Sequence, residues 1–356
     1  MIVFILPQFS GGGAERVVIN LLIELYRRGH RVGIVVFNKN GPLLSIIPNS
    51  IPIYNLDTKT LSRSIVPLVK FLRRLQPRVV FSTFGYINIP LLAIRWILPK
   101  RTNIWIREAN LPSVSLPNNP YPRLMIFLYR LLYRKSDRLF CTSAIMKNEF
   151  ISNFLVPDAI IDILPNPVNI KKIRSLILPV KRFDNGGVCY VASGRLAFQK
   201  GFDRLLKWFS TVDNQSSTLV ILGDGGSKSE LIKQSIDLCL NGRVKFVGFC
   251  SNPWQWYAGA DVFLISSRWE GMPNSALESL ACGTPVIATA ESGGVSEICT
   301  KRNRGALIVV HTSDDFIKAM NNVFVSVDSH PRVSLLSEIY NTDNVVNMIE
   351  NWLDTC

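Results

Sequence analysis

The stretch MIVFILPQFSGGGAERVVINLLIELYRRGH, residues 1–30, indicates the fold class of the whole chain. Its first seven residues are almost entirely apolar and have no basic segment before them, which is typical of a buried strand rather than of a secretory signal. Apolar residues then recur at helical spacing from Ala14 to Arg28, and Gly29 supplies a C-terminal stop. A strand, a glycine-rich turn and an amphipathic helix in this order form the repeating unit of parallel α/β folds.

Short β-branched runs alternate with longer helical patterns through the rest of the chain, so we predict parallel sheets covered by helices on both faces. The predicted strands of the first half lie near residues 2–6, 32–37, 51–54, 78–82, 102–107, 137–141 and 160–163. Those of the second half lie near residues 187–193, 218–222, 243–247, 261–265, 284–289 and 305–309. The sequence therefore predicts two doubly wound, Rossmann-like domains, expected to face each other across a ligand-binding cleft.

A segment rich in Pro and Gly, residues 164–187, separates the two halves. We place the first domain at residues 1–180 and the second at residues 181–340. A short amphipathic helix within residues 341–356 is expected to pack near the domain junction.

The charge of the chain is concentrated in its first half. The formal net charge is +14, and residues 1–180 hold 24 Lys and Arg against 8 Asp and Glu, whereas residues 181–356 hold 16 against 18. This asymmetry indicates an anionic partner for the first half only, such as a membrane surface, a nucleic acid or a lipid-linked phosphate.

Composition argues against several other classes of protein. With 47% hydrophobic residues the chain is too apolar for a disordered protein. No apolar run reaches the roughly 18 to 20 residues that a membrane-spanning helix needs, because Arg95 and Arg130 interrupt the runs at 87–98 and 124–132. The 7 cysteines form no CxxC motif and the 3 histidines lie far apart, so we expect reduced thiols, a cytosolic protein and no metal site.

Glycines and cations follow several predicted strands, where a doubly wound fold binds its ligands. The glycines at 11–13 let the main chain approach a ligand at a helix N-terminus. Arg195 and Lys200, five residues apart in one loop, can clamp a diphosphate. Each feature also has an ordinary structural explanation, since glycine-rich turns and solvated loop cations are common.

The most informative segment is residues 270–278, EGMPNSALE, between a predicted strand and a predicted helix. Asn274 or Ser275 can cap this helix, and the free N–H groups of its first turn suit an anion. Glu270 and Glu278 are spaced so that both can reach one elongated ligand, although the spacing alone is a weak signal.

Together these segments resemble the retaining glycosyltransferases of family 4, glycosyltransferase group 1, which have the GT-B fold. The resemblance covers nearly the whole chain and rests on GGGAER at 11–16, Gly194-Arg195 with Lys200-Gly201, Gly223-Asp224-Gly225, Glu270 with Glu278, and GTPVIA at 283–288 followed by Gly293-Gly294 and Glu297. The glycine-rich start is most similar to bacterial enzymes that extend undecaprenyl-diphosphate-linked sugars for O-antigen, capsule or protein-glycosylation oligosaccharides.

The resemblance implies roles for individual residues. Arg195 and Lys200 would bind the donor diphosphate and Glu270 the donor-sugar hydroxyls, and these three are the expected catalytic residues. Glu278 would accept hydrogen bonds from the ribose hydroxyls. The full donor-binding set is Gly12, Gly13, Gly194, Arg195, Lys200, Gly223, Gly225, Glu270, Gly271, Met272, Pro273, Asn274, Ser275 and Glu278. Because two cations and a helix N-terminus together offset a diphosphate, we expect neither a metal nor another cofactor.

The acceptor side departs from the family pattern. Several members of the family carry a His in the segment that matches residues 104–110, and this chain has none there. Arg107, Glu108 and Asn110 are the polar candidates to face the cleft, and Glu15 is a further acceptor-side candidate.

The implied activity is transfer of a hexose or N-acetylhexosamine, with retention, from a nucleotide sugar, expected to be UDP-linked, to a lipid-linked saccharide in bacterial glycan assembly. One alternative is a UDP-sugar 2-epimerase of the same fold, but such enzymes often use His at the sugar. Another is a basic nucleic-acid-binding protein, but the sequence has no recognition motif for nucleic acid, and we expect no such partner.

Residues 121–140 combine basic and apolar side chains in a pattern that predicts an amphipathic basic helix. At helical spacing, Arg123, Arg130 and Arg134 fall near one face, and the apolar residues Leu124, Leu128, Leu131 and Leu132 fall on another. Core packing explains this segment as well as membrane insertion does. With the charge of the first half, we expect peripheral attachment to the inner, cytoplasmic face of the membrane through the N-terminal domain.

Overall fold

A computed structural model describes residues 1–58, 60–177, 186–298, 305–324 and 332–355 of the chain. The chain divides into two compact units. The first comprises Met1–Pro167 with Thr342–Cys356, and the second comprises Val168–Asn341.

The first unit is built on a parallel sheet of seven strands in the order β3-β2-β1-β4-β5-β6-β7. The strands are β1 (Ile2–Leu6), β2 (Val32–Val36), β3 (Ile53–Asn55), β4 (Val79–Thr83), β5 (Asn103–Arg107), β6 (Arg138–Cys141) and β7 (Ile161–Ile163). Every residue of β1, β2 and β4 is buried, as expected for strands covered on both faces. The strand order reverses between β1 and β4, so the loops after these two strands flank the crevice where such sheets bind ligands.

Helices connect the strands of the first unit. They are α1 (Gly13–Arg27), α2 (Leu61–Leu75), α3 (Gly85–Ala93), α4 (Pro112–Ser115), α5 (Pro122–Leu132) and α6 (Ala144–Phe154). The apolar stripe of α1, with Leu21 and Leu22 at its centre, is fully buried in one hydrophobic cluster together with β1 residues Phe4 and Leu6. Leu72 of α2 and Leu91 of α3 belong to the cluster on the opposite face of the sheet.

The second unit repeats this plan with six parallel strands in the order β10-β9-β8-β11-β12-β13. The strands are β8 (Cys189–Ser193), β9 (Thr218–Leu222), β10 (Val244–Gly248), β11 (Val262–Ile265), β12 (Val286–Thr289) and β13 (Leu307–Val310). The helices are α7 (Ile170–Ser175), α8 (Phe202–Ser210), α9 (Lys228–Asp237), α10 (Trp254–Gly259), α11 (Asn274–Ala281) and α12 (Ser313–Asn321). The order reverses between β8 and β11, which is the switch point of this sheet.

The last helix, α13 (Thr342–Asp354), belongs to the first unit although it follows the second in sequence. Its apolar residues Val345, Val346 and Ile349 are buried in the same cluster as the apolar stripe of α1. Beside this apolar contact, Arg28 Nη1 lies 2.6 Å from Glu350 Oε2, and His30 Nε2 lies 2.7 Å from Glu350 Oε1. The chain therefore passes from the first unit to the second and back.

The predicted fold class is confirmed: both units are doubly wound and Rossmann-like, as in the GT-B fold. All 13 strands lie within two residues of their predicted positions. The C-terminal helix forms where it is predicted. The predicted boundary between residues 180 and 181 falls within residues 178–185, which lie outside the described residues, so the division at that point stays a prediction.

The predicted basic helix is shorter than expected and is rotated about its axis. Helix α5 ends at Leu132, and Arg138 belongs to β6. Leu124 and Leu131, expected on an apolar face apart from the arginines, are 53% and 45% exposed. The inner face of α5 carries Tyr129 and Leu132 instead, and the Tyr129 hydroxyl donates to a buried carboxyl described below. Among the described helices, none is both long and apolar enough to span a bilayer.

Candidate active site

The switch point of the second sheet carries the densest group of predicted site residues. The strands β8 and β11 end side by side at Ser193 and Ile265, and the loops that follow them enclose a small depression. The depression is lined by Ser193, Lys200, Phe202, Leu264, Ile265, Ser266, Ser267 and Ser275. Hydroxyls and one ammonium thus surround the place where a doubly wound sheet binds its ligand.

Lys200 and Glu270 meet at this depression. The Lys200 ammonium donates a short hydrogen bond to Oε1 of Glu270, and the Ser267 hydroxyl donates to the same oxygen at 2.7 Å. Glu270 is 7% exposed, and the Lys200 side chain is 22% exposed. A carboxylate this buried needs a charged partner, and Lys200 supplies it while remaining open to solvent on one side.

Glycines let neighbouring loops of the site touch main chain to main chain. Gly223, at φ 133°, follows β9, and a Cβ there would lie 1.9 Å from the carbonyl oxygen of Gly194. Gly225 likewise packs on Leu196, where a Cβ would lie 2.4 Å from the carbonyl oxygen. Any side chain at these positions would therefore push apart the two loops that follow β8 and β9.

The loop before α11 is supported from beneath by the segment after β12. The Gly294 amide donates to the carbonyl of Gly271 at 2.7 Å, and a Cβ at Gly293 would lie 2.2 Å from the carbonyl oxygen of Glu270. Met272 is buried in the core of the unit. The predicted cap is wrong: Pro273 occupies the position before α11 and no side chain caps the helix, because Asn274 already lies in its first turn.

Arg195 and Glu278 differ in how they are held. The Arg195 side chain is exposed, in the loop that begins at Gly194. Glu278 lies in α11 and accepts a hydrogen bond from the Trp254 indole N–H at 3.0 Å. The structure therefore brings together Lys200 and Glu270 directly, with Arg195 and Glu278 on elements adjoining the same strand ends.

In the first unit, the glycine-rich turn is closed by Glu15. The Ser10 hydroxyl donates a short hydrogen bond to the Glu15 carboxylate, and Gly12 is the residue that precedes α1. A Cβ at Gly12 would lie 2.3 Å from Glu15 Oε2, so the carboxylate lies directly over the glycines. Partial desolvation and the nearby Glu15 raise the pKa of Tyr86 to about 12, although the residue is 47% exposed, and its phenol is protonated at neutral pH, as an ordinary tyrosine is.

A strained residue lies beside Tyr86. Phe84 follows β4 with φ 96°, an unusual conformation for an aromatic residue, and its ring stacks on Tyr86 with centroids 5.5 Å apart. Strained residues of this kind are concentrated at functional sites. The switch point of the first sheet therefore presents a carboxylate, a phenol and glycines.

Arg107 and Glu108, at the end of β5, are both buried within the first unit. The Arg107 guanidinium is 1% exposed and donates a short hydrogen bond to Oδ1 of Asn166, and burial lowers its pKa to about 10. Within the described residues, Arg107 Nε and Nη1 have no hydrogen-bond partner. Thr83 is paired with Arg107 in the register of β4 and β5, and its hydroxyl likewise has no partner among the described residues. The roles of Arg107 and Glu108 on the acceptor side stay predictions.

Glu108 is the centre of a buried polar cluster on the other face of the sheet. It accepts hydrogen bonds from Asn88 Nδ2 at 2.8 Å and from the phenols of Tyr129 and Tyr133. Burial raises its pKa to about 7, although these hydrogen bonds lower it in part. The rings of Tyr129 and Tyr133 stack with centroids 4.1 Å apart, so the inner face of α5 is fixed to the end of β5. Asn110, two residues further on, is half-buried.

Sequence analysis missed the groups that hold the predicted residues in place. Ser267 and Arg204 in the second unit, and Asn88, Tyr129 and Tyr133 in the first, have no motif that identifies them. Ser267 is one of two adjacent serines after an apolar strand, which is the single local signal. Across the described parts of the chain, no three His, Cys, Asp or Glu side chains are grouped so that they could hold a metal.

Comparison with known proteins places this chain in a family. The model of Glycosyltransferase Family 4 matches residues 11–172, and that of Glycosyl transferases group 1 matches residues 176–330. Together they account for both units.

Two relatives are similar over most of their length. The chain is 27% identical to the N-acetylgalactosamine-N,N'-diacetylbacillosaminyl-diphospho-undecaprenol 4-alpha-N-acetylgalactosaminyltransferase of Campylobacter jejuni, covering 89% of this chain and 88% of the relative. It is 24% identical to the UDP-Gal:alpha-D-GlcNAc-diphosphoundecaprenol alpha-1,3-galactosyltransferase of Escherichia coli, covering 90% and 87%.

A solved structure shares the fold. Anabaena Alr3699/HepE in complex with UDP-glucose superposes with a TM-score of 0.79 at 18% identity, over 100% of this chain and 99% of that one. With both halves matched by the two family models, the chain belongs to the group 1 glycosyl transferases of glycosyltransferase family 4.

Proposed function

We propose that this glycosyltransferase moves a hexose or N-acetylhexosamine from a UDP-sugar to a lipid-linked saccharide, with retention of the anomeric configuration. The names of the Campylobacter and Escherichia relatives both specify a diphospho-undecaprenol acceptor, which supports a lipid-linked acceptor here. The name of the second relative specifies a UDP-sugar donor, and that supports the choice of nucleotide. Neither relative is described as an epimerase, and neither name mentions a nucleic acid.

The observation that carries the proposal is the contact between Lys200 and Glu270 at the switch point of the second sheet. In the proposed complex the Lys200 ammonium, with Arg195, neutralises the diphosphate as the glycosidic bond breaks and charge develops on the leaving group. Glu270, held by Ser267, accepts hydrogen bonds from donor-sugar hydroxyls. The N–H groups at the start of α11 add partial positive charge to the same place.

The ribose and the acceptor are assigned to neighbouring groups. Glu278 lies one helical turn beyond the first residue of α11, where its carboxylate would accept from the ribose hydroxyls. The acceptor would lie against the glycine-rich turn of the first unit, beside Glu15. In this proposal the first unit recognises the sugar that receives the transfer.

The proposal is tested by incubating the purified protein with UDP-, GDP- and ADP-linked hexoses and N-acetylhexosamines, with and without an undecaprenyl-diphosphate-linked saccharide. We expect UDP release that depends on the lipid-linked saccharide. If the anomeric bond of the donor is axial, we expect NMR to show an axial linkage in the product. Conversion of the donor to its 2-epimer without an acceptor, or an inverted linkage, would contradict the proposal.

We also propose that the first unit attaches to the inner face of the cytoplasmic membrane through α5. Its outer surface carries Phe127, 58% exposed, beside Leu124 and Leu131, and the exposed Arg123 and Arg130 flank these apolar side chains. Apolar residues in the interface with arginines at the headgroups are the pattern of an interfacial helix. Each Lys or Arg near an anionic surface contributes roughly 1 kcal/mol at low screening.

Liposome co-sedimentation tests this attachment. We expect binding that rises with anionic lipid, falls with salt and weakens when Arg123, Arg130 and Arg134 are changed to Glu. The matched control changes three exposed cations of the second unit, Lys207, Lys233 and Lys318, to Glu. Equal binding to neutral and anionic vesicles would contradict the proposal, as would equal losses in both triple variants.

A further inference from the structure

Arg204 joins helix α8 to the end of strand β11. Its Nε donates to the carbonyl of Ser266 at 2.8 Å, and its Nη2 donates to the carbonyl of Ser267 at 2.7 Å. Nη2 also lies 2.5 Å from the Glu291 carboxylate. The side chain is 19% exposed, so most of the guanidinium is committed to these contacts.

The two residues that Arg204 holds are the two that hold the proposed catalytic pair. The Ser266 hydroxyl donates to the carbonyl of Lys200 at 3.0 Å, and the Ser267 hydroxyl donates to Glu270 Oε1 at 2.7 Å. Both serines follow Ile265, the last residue of β11. The placement of Lys200 and of the Glu270 carboxylate therefore depends on one short segment after the strand.

The geometry of the contact requires a guanidinium. Nε and one terminal nitrogen of Arg donate in parallel from a rigid plane, and here they meet two consecutive carbonyls. Gly201 lets the main chain come this close, because a Cβ there would lie 2.0 Å from the Ser266 carbonyl oxygen and 2.9 Å from Arg204 Nε. A lysine at 204 keeps the charge, but its point-like ammonium cannot reproduce the planar fork.

We propose that Arg204 is a positioning residue for sugar transfer, which fixes the carboxylate of Glu270 through Ser267 and the Lys200 main chain through Ser266. This inference rests on the proposed function of Lys200 and Glu270. Arg204 acts through the two serines rather than on the donor, so its loss misplaces the catalytic pair and leaves the other nucleotide contacts in place.

The first measurement is the steady-state kinetics of Arg204→Gln and Arg204→Lys. We expect kcat to fall at least about tenfold in both, because small misplacements of catalytic groups carry costs of that order. KM for the nucleotide sugar is expected to change by less than about threefold, since the nucleotide contacts proposed for Arg195 and Glu278 do not run through Arg204. Wild-type kcat in Arg204→Lys would overturn the proposal, because charge alone would then suffice.

Two variants serve as matched controls. Arg243 also bonds main-chain carbonyls, those of Ser217 and Asn214, and lies over an aromatic ring, but it is at the opposite end of the strands. Glu291→Gln removes the ion pair of Arg204 and leaves both carbonyl bonds. We expect Arg243→Gln and Glu291→Gln to keep kcat within about twofold of wild type, as is usual for surface contacts.

A double-mutant cycle separates positioning from general support of the fold. If Arg204 acts through Glu270, Arg204→Gln lowers kcat much less in a Glu270→Gln background than in wild type. Equal effects in the two backgrounds would overturn the proposal even if both single variants are impaired. Wild-type activity in Glu270→Gln and Lys200→Ala would instead refute the proposed function, so the two failures are distinguishable.

Discussion

The two units share a strand order and differ in what they present at the switch point. In the second unit a lysine, a paired carboxylate and serines surround a depression between β8 and β11. In the first unit the segments after the corresponding strands β1 and β4 carry Glu15, Phe84 and Tyr86. Exposed cations such as Arg123 and Arg130 lie on the outer helix α5 instead. One topology thus supports an edge lined by a lysine and serines in one unit and an edge lined by a carboxylate and a phenol in the other, which suits the proposed division between donor and acceptor.

The largest expected effect comes from the cations of the second unit. Arg195→Ala and Lys200→Ala should each lower turnover about 10²- to 10³-fold. Each change removes a cation that, in the proposed function, stabilises the negative charge developing on the leaving diphosphate. Initial rates on the nucleotide sugar measure the effect, with thermal melts to check folding. Lys207→Ala, an exposed lysine of α8, is the control. Wild-type rates in a folded double variant would break the assignment of the donor to this edge.

The next effect concerns Glu108, whose pKa of about 7 in the folded chain exceeds the ordinary value of 4.5. The folded state holds this proton more tightly, so Glu108 destabilises the fold as pH rises from about 5 to 8, by up to about 3 kcal/mol. Glu108→Gln should therefore gain thermal stability relative to wild type at pH 8 but not at pH 5.

Thermal melts at the two pH values measure this difference. Glu230→Gln, which changes an exposed carboxylate of the second unit, is the control and should show no such gain. If the difference in melting temperature between Glu108→Gln and wild type is the same at both pH values, Glu108 is ionised in the folded chain over this range. The first unit would then contain no buried protonated carboxyl at Glu108.

A smaller effect is expected at Gly85, at the start of α3. A Cβ there would lie 1.8 Å from the Tyr129 hydroxyl, so Gly85→Ala should destabilise the first unit by about 1–3 kcal/mol through overpacking. Adding Tyr129→Phe removes the hydroxyl but leaves the ring carbon Cζ 2.9 Å from the new Cβ, so it should recover part of the loss. Chemical denaturation measures both, with Gly226→Ala, where a Cβ meets nothing within 4 Å, as the control. If Tyr129→Phe restores no stability to Gly85→Ala, the steric explanation is wrong.

The smallest effect is expected at Glu278. Glu278→Gln keeps an acceptor for the Trp254 indole but weakens the hydrogen bonds proposed from the ribose, so affinity for the nucleoside diphosphate should fall by about 1 kcal/mol, roughly fivefold. Calorimetric titration measures it against Glu230→Gln. Unchanged affinity of Glu278→Gln for the nucleoside diphosphate would contradict the proposed contact between Glu278 and the ribose.

The sequence predicted the alternation of elements well because strand and helix periodicities are local. Thus β1 and α1 lie almost where the apolar pattern places them. The rotation of α5 was not predictable from its own pattern, since the buried position of Tyr129 depends on Glu108, 21 residues away.

The site was predictable only in part, for a related reason. Lys200 and Glu270 stand out as charged residues after strands, and the structure brings them together across 70 positions. Arg204 and Ser267 act through main-chain carbonyls and a single hydroxyl, contacts that any Arg or Ser could make. These contacts can be identified only from the structure, which places α8 beside the end of β11.

The return of α13 to the first unit has a consequence for how the chain is made. During synthesis the whole second unit emerges before Val345, Val346 and Ile349, so the apolar surface of the first unit that α13 covers stays exposed until these residues are translated. A ribosome-bound chain that lacks these residues leaves part of this apolar cluster without its cover, in a unit already rich in positive charge. The first domain to begin folding is therefore the last to be completed, and a nascent chain released just before residue 342 would be prone to aggregate.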